Sequence, residues 1–135
     1  MTISHKFISR GFILAGLMNM SVLIFSNYFT NPVISKYDPD VMSNFGLLMI
    51  VIWGLAYISV EKVYDKVRWL VLVFAIEKLI YGYNWIQWIT TSSVSEVYEE
   101  SAMAGIFYAI YGVNDLLFCI FFIYVFIRLV KAKNK

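Results

Sequence analysis

Apolar residues make up 61% of this 135-residue chain and charged residues 15%, whereas soluble domains contain about 45–50% and about 25%. This excess of apolar side chains is more than one small core can bury, so the composition excludes an ordinary soluble domain and predicts a membrane protein. The formal net charge of +2 does not indicate a nucleic-acid partner, because the basic residues lie beside the ends of apolar segments, where they match orientation signals and lipid headgroups.

Four apolar segments predict four membrane-spanning helices in a single domain that covers residues 1–135. A hydrocarbon core about 30 Å thick is crossed by about 20 helical residues. The connections between the segments are short. The predicted fold is therefore all-α, a polytopic four-helix transmembrane bundle with spans at about 7–28, 45–60, 69–89 and 103–127.

The first segment follows Lys6 and Arg10 in the manner of a signal peptide. Its apolar run of about 22 residues exceeds the usual 7–15, and no Ala-x-Ala cleavage site follows it, so we interpret it as a retained span. Gly11, Ala15 and Asn19 recur every four residues and predict a face on which another helix packs closely. An amide in hydrocarbon needs a partner, so Asn19 is also a candidate site residue.

The connections are predicted from their turn and charge patterns. Pro32 and Pro39 favour a loop before the second span. Within that span Trp53 lies too deep for an interfacial residue, and we expect it to pack inside the bundle with its N–H seeking an acceptor. The second connection, residues 61–68, alternates in sign and predicts a solvated helical turn or two, whereas the third is polar and acidic.

Ionisable residues lie inside two of the predicted spans. The third span contains Glu77 and Lys78, and the fourth contains Asn114 and Asp115. An ionised side chain at the centre of a spanning helix costs about 2.5–3.5 kcal/mol on insertion scales. Each of these groups therefore needs a partner or a function that offsets its cost.

The distribution of lysine and arginine predicts the orientation. Nine of the eleven lie in the N-terminal segment, the second connection and the C-terminal tail, namely Lys6, Arg10, Lys62, Lys66, Arg68, Arg128, Lys131, Lys133 and Lys135. By the positive-inside rule these three regions face the cytoplasm, which agrees with an even number of spans. We expect a multi-pass protein of a bacterial-type inner or plasma membrane, with both termini cytoplasmic.

The polar groups fall at similar depths. At about 1.5 Å per residue from the inner end of each span, Glu77 lies about 12 Å deep, Lys78 about 13 Å, and Asp115 and Asn19 about 18 Å. Three helices thus contribute to one polar layer, which residues placed only for folding have no reason to share.

Aromatic and polar side chains share helical faces with the acids. One face of the third span carries Glu77, Tyr81, Asn84 and Trp88, and one face of the fourth carries Tyr108, Tyr111, Asp115 and Phe122. If the faces meet, the interior holds a pocket with aromatic walls and two acids. The candidate ligand-binding residues are Glu77, Asp115, Lys78, Asn19, Tyr81, Asn84, Trp53, Tyr108, Tyr111 and Asn114.

A structural interpretation of the charges competes with the ligand site. Lys78 could pair with Asp115, or Glu77 with a neighbouring subunit, so that the layer pins helices together. Lys78 could instead extend its side chain toward the cytoplasmic end of its helix.

The residue inventory excludes several chemistries. Cys119 is the only cysteine and His5 the only histidine, so one chain cannot form a disulfide, a bis-histidine haem site or an HExxH zinc site. His5 lies at the water-exposed terminus, which argues against a Ser-His-Asp triad. No glycine-rich phosphate loop is present. The sequence predicts no metal site and no cofactor.

Three functions fit these features, and we favour the first, which is not enzymatic. The chain binds or passes an apolar or cationic small molecule, of lipid, isoprenoid or quinone type, around Glu77 and Asp115. Alternatively, it is an accessory or assembly subunit, or a homo-oligomer, that docks partner helices on the Gly11/Ala15 and Gly105/Ala109/Gly112 faces. The third is an intramembrane lipid-modifying enzyme that uses an acid pair. In layout alone the predicted bundle resembles the sterol isomerase group and the DoxX-like proteins, and no motif transfers a residue role from them.

Overall fold

The computed structural model describes residues 3–135, and this part of the chain is helical with no strand, as predicted. Seven α-helices follow one another: α1 (His5–Met20), α2 (Val22–Phe25), α3 (Pro32–Tyr37), α4 (Asn44–Ser59), α5 (Arg68–Thr91), α6 (Val94–Glu100) and α7 (Ala102–Lys133). A 3₁₀ turn (Tyr64–Lys66) lies between α4 and α5.

Three helical segments are long and apolar enough to cross a membrane: His5–Phe25, which comprises α1 and α2, Arg68–Thr91 and Ala102–Lys133. The predicted second span is shorter. Its helix α4 has 16 residues, or about 24 Å at the rise of an α-helix, against a hydrocarbon core of about 30 Å. The helix is limited at its start by Ser43, whose hydroxyl oxygen accepts a hydrogen bond from the Gly46 amide.

The first and third connections contain helices where the sequence analysis expected loops. Pro32 stands at the first turn of α3, where its missing N–H is not needed, and the Asn31 side chain caps the helix by accepting from the Val33 amide. Ser93 caps α6 in the same way. A proline in the first turn therefore begins a short helix here instead of excluding one.

The first segment ends in an unusual turn. Asn27, Tyr28 and Phe29 have φ values of 47°, 55° and 65°, a left-handed conformation that non-glycine residues seldom adopt. Hydrogen bonds compensate for its cost: the buried Ser26 hydroxyl accepts from the Phe29 amide, and the Asn31 amide donates to the Ser26 carbonyl. The turn redirects the chain from α2 into α3.

The long helices form two antiparallel pairs. In the α1–α4 pair Ser9 donates to Glu61, and the Asn19 amide donates to the Ile50 carbonyl at 2.9 Å. Residue numbers rise along one helix as they fall along the other. In the α5–α7 pair Gly82 faces Leu116 and the Cys119 thiol lies 3.4 Å from the Ala75 carbonyl oxygen, which gives the same antiparallel relation.

Charge divides the molecule into two ends. At the basic end the N-terminal segment, the second connection and the last part of α7 meet: His5 is hydrogen-bonded to Tyr64 at 2.7 Å, and Arg128 donates to the Ile3 carbonyl. At the acidic end α3 and α6 meet, joined by the Lys36–Glu100 ion pair at 2.7 Å. The three most basic regions of the sequence thus lie at one end.

Glycines permit close helix contacts within the chain. A Cβ on Gly16 would lie 2.6 Å from the Gly54 carbonyl oxygen, and a Cβ on Gly112 would lie about 2 Å from the Trp85 ring. Gly11 faces the tip of the Phe121 ring in the same way. The small-residue faces that the sequence analysis offered to partner subunits are largely occupied by helices of the same chain.

The interior near the basic end is filled by four aromatic rings, those of Phe12, Tyr57, Phe74 and Phe122, which we call the aromatic plug. All four side chains are fully buried, and the ring centroids in contact are 4.8–6.4 Å apart. Such spacings are typical of packed aromatic pairs. The Tyr57 hydroxyl donates to the buried Glu77 carboxylate beside the plug.

Gly16→Ala is expected to destabilise the protein by about 1–3 kcal/mol, the usual cost of overpacking, because the added methyl would meet the Gly54 backbone, which cannot move aside cheaply. Gly11→Ala is the matched control on the same helix. Its methyl meets the end of a flexible side chain, so we expect a smaller loss. Thermal unfolding in detergent measures both, and equal losses would contradict the backbone contact between α1 and α4.

The contact between α3 and α6 predicts a raised pKa for Tyr37. Its hydroxyl donates to Glu100 at 2.5 Å, and this hydrogen bond to a carboxylate raises the pKa of Tyr37 to about 12 from 10.0. The bond is present below pH about 10 and is lost as the pH rises through about 12. In Glu100→Gln the pKa should fall back toward 10.0. Ultraviolet difference spectra against Tyr37→Phe measure it, and an unchanged pKa would contradict the contact.

Candidate functional site

A buried ion pair lies at the centre of the molecule. The Lys78 ammonium is 2.7 Å from Asp115 Oδ1, and the two residues are 1% and 7% exposed. The lysine side chain does not extend toward the basic end. A charge in so dry a setting requires a partner with good geometry, and Asp115 provides it across the α5–α7 interface.

Amide side chains complete the coordination of this pair. Lys78 also donates to Asn19 Oδ1 at 2.7 Å, and Asn114 donates to Asp115 Oδ1 at 3.3 Å. The Asn19 amide donates in turn to the Ile50 carbonyl. The ammonium further lies 5.2 Å from the centre of the Tyr57 ring, within the range of a cation–π contact. We call Lys78, Asp115, Asn19 and Asn114 the polar layer.

Glu77 occupies a separate place beside the polar layer. Its Oε2 accepts the Tyr57 hydroxyl, and its Oε1 is buried without a hydrogen bond from any residue in the described part of the chain. The sequence analysis expected both acids in one pocket if the two helical faces meet. In the structure Lys78 and not Glu77 contacts Asp115, because adjacent residues on a helix point about 100° apart; Glu77 bonds Tyr57, whose ring also lies over the Lys78 ammonium.

A cleft opens between α1–α2 and α7. Its polar wall includes Asn19, Tyr111, Asn114 and Asp115, and its apolar wall includes Val22, Phe25, Ile50, Phe107 and Ile110. Glu77 does not line it. No residue in the range 3–135 donates to Asp115 Oδ2, and this oxygen is not enclosed, so it is the free acceptor of the cleft.

The size of the cleft restricts what it can hold. Its cavity volume is about 30 Å³, whereas pockets for drug-sized ligands measure about 300–1,000 Å³. Water needs only about 10–15 Å³ on the same kind of measure. The cleft therefore accommodates water or one small polar group, and a larger ligand can place only its head there.

A second polar contact reaches the cleft from the acidic end. Asn84 Nδ2 lies 3.1 Å from Asp38 Oδ2 and 3.3 Å from the Tyr111 hydroxyl. Asn84 and Asp38 line a shallow surface depression at that end, whereas Tyr111 lines the cleft. Two residues from the candidate list thus join the cleft to the surface.

Three other candidate residues lie apart from the cleft. Trp53 packs edge-on against Phe74, with ring centroids 6.1 Å apart. The buried Tyr108 donates to the Ile34 carbonyl at 2.5 Å and anchors α3. Tyr81 is half-buried and makes no hydrogen bond within the described residues.

Two residues with direct roles were not on the candidate list. Tyr57 is the hydrogen-bond partner of Glu77, and its signal was its place on the small polar edge of the second span, three residues after Gly54. Asp38 lay in the loop predicted before the second span, which gave no sign of a contact with the third span. Its contact with Asn84 depends on the fold of the first connection.

Lys78→Met should destabilise the protein by about 3–5 kcal/mol, because it leaves the Asp115 carboxylate buried without its cation. The double variant Lys78→Met/Asp115→Leu removes both charges and should recover most of that loss. Unfolding in detergent compares the two with the parent protein. If the double variant were as unstable as the single one, the ion pair would not be the source of the effect.

Comparisons with protein-family models, with curated proteins and with solved structures find no match to this chain. The chain itself offers three functional features: a buried ion pair, a carboxylate oxygen that accepts no hydrogen bond from residues 3–135, and a small cleft with an apolar rim.

Proposed function

We propose that this chain is an integral membrane protein with four spans and both termini in the cytoplasm. Three helices have the length and composition to cross a membrane, and α4 packs antiparallel to the first of them. The basic regions meet at one end, as the positive-inside rule requires for a cytoplasmic face. The 16-residue α4 is compatible with spanning where flanking residues extend it or the bilayer thins locally.

We further propose that the cleft binds the head of a hydrophobic small molecule. The observation that carries this proposal is the free Oδ2 of Asp115, which faces the cleft while Oδ1 is saturated by Lys78 and Asn114. A carboxylate oxygen accepts from a hydroxyl or an ammonium group and repels an anion. A bulky phosphate head is therefore disfavoured, both by charge and by the cleft volume of about 30 Å³.

The body of such a ligand would lie outside the cleft, along the apolar surface of the protein. Leu17 and Ile24, which neighbour cleft residues in the chain, are exposed, and so is Ile110 in the cleft lining. Asp115 is 12 residues from either end of the predicted span 103–127, which places it about 18 Å deep, near the middle of the bilayer. Molecules that dissolve in the bilayer interior meet these conditions, such as an isoprenoid alcohol, a quinol or a lipophilic amine.

The alternative functions have less support. An acid-pair enzyme requires two carboxyl groups at one substrate, and only Asp115 lines the cleft. Docking of partner helices on glycine faces requires that these faces be free. Gly11, Gly105 and Gly112 pack against residues of their own chain, and only Ala109 of the named residues is exposed. A structural role of the polar layer remains compatible with ligand binding, because Asp115 uses different oxygens for the two.

Asp115→Asn and Glu77→Gln form a matched pair that tests ligand binding. The first removes the charged acceptor of the cleft, whereas the second changes a buried acid that does not line it. Since a hydrogen bond to a charged group contributes about 1.5–3 kcal/mol, ligand occupancy should fall at least about tenfold in Asp115→Asn and stay unchanged in Glu77→Gln. Native mass spectrometry from lipid nanodiscs measures the bound mass.

Lys78→Met/Asp115→Leu serves as a second test that leaves no unpaired buried charge, and it too should lose the ligand. Loss of the bound mass in Glu77→Gln alone would move the site to the other acid. A bound mass retained in both Asp115 variants would overturn the proposal.

A further inference from the structure

Two cavities meet at one hydrogen bond. The surface depression at the acidic end includes Asp38, Asn84 and Gln87, and the cleft includes Tyr111 and Asp115. The Asn84 amide, 3.3 Å from the Tyr111 hydroxyl, is the contact between them. Tyr111 and Asp115 are separated by one helical turn of α7, about 6 Å, on the same face. Every group along this line can donate or accept a hydrogen bond.

The opposite direction is closed. Between the polar layer and the basic end lies the aromatic plug, whose four side chains are fully buried and in mutual contact. Phe122, one of the four, lies two turns beyond Asp115 on α7 and is followed on the same side by the buried Val125. Packed rings of this kind leave no room for water, and the Glu77 carboxylate that bonds Tyr57 is buried with them.

We propose that the Lys78–Asp115 pair exchanges water and small cations, protons included, with the acidic end of the molecule only, along Asp38, Asn84 and Tyr111. The Asp38 carboxylate stands at the mouth of this route and attracts cations. The free oxygen of Asp115 is its inner terminus. A buried site open to one side is one of the two states that alternating access requires, whereas a purely structural pin has no need of an entrance.

This inference uses the same carboxylate as the proposed function but does not depend on the ligand. Ligand binding concerns the apolar rim of the cleft, and access concerns the path from the acidic surface. An assay of accessibility therefore distinguishes failure of one from failure of the other.

Cysteine labelling in sealed vesicles tests the route. The parent for all variants is Cys119→Ala, and the reagent is Ag⁺, a thiol-reactive cation small enough for a cleft of about 30 Å³, added on one side at a time. Ser95→Cys and Lys133→Cys, both on exposed surfaces at opposite ends, report which side is which. Asn114→Cys and Met18→Cys place thiols on the two walls of the cleft.

Both cleft thiols should react from the side on which Ser95→Cys reacts, at least about tenfold faster than from the other side. Leu117→Cys is the matched control, since Leu117 lies two residues from Asp115 on α7 with its side chain exposed outward; it should react from neither side, because a thiol in hydrocarbon is not ionised. Using two cleft positions on different helices guards against a single variant that fails to fold.

Three results would overturn the proposal: equal reaction of the cleft thiols from both sides, reaction only from the Lys133→Cys side, or no reaction at the cleft while Asn84→Cys, at the mouth, is labelled. The last would mean that the Asn84–Tyr111 contact seals the cleft. None of these results would change the ligand occupancy measured in the Asp115 variants.

Discussion

The structure depends on one buried ion pair. Lys78 and Asp115 are held at 2.7 Å and are almost fully buried, so neither charge is stable without the other. The pair fixes the register of α5 against α7, and its amide partner Asn19 extends the constraint to α1 and, through the Ile50 carbonyl, to α4. A single cation thereby determines the relative height of four helices.

The ion pair can form only because the helices pack closely. The side chain of Lys78 reaches its partners only if the helices approach closely, and glycines at Gly16, Gly54 and Gly112 remove the side chains that would keep them apart. Aromatic rings then fill the space on the basic side. Because the rings exclude water on the basic side of the polar layer, the attraction between Lys78 and Asp115 is stronger.

The sequence predicts one layer of polar groups from three helices, because charged residues inside apolar segments are conspicuous and the helical rise gives their depth. Lys78, Asp115 and Asn19 do meet, whereas Glu77 lies beside them and bonds Tyr57. It does not predict which neighbours pair. Glu77 and Lys78 are adjacent, and only the rotation of α5, set by packing of Gly82 and Trp85 against α7, decides that the lysine meets Asp115. The sequence pattern also does not predict the left-handed turn at 27–29 or the short helices α3 and α6. These elements depend on helix caps and on contacts between residues distant in sequence.

The two carboxylate oxygens of Asp115 have different roles, one in the fold and one in the proposed binding site. Oδ1 is saturated by Lys78 and Asn114 and serves the fold. Oδ2 accepts no hydrogen bond within the described residues, and Asp115 lines the cleft, so this oxygen is available to a bound group. The Asp115 carboxylate is costly to bury at this depth. It neutralises Lys78, and it supplies a free hydrogen-bond acceptor that is reached from the acidic side.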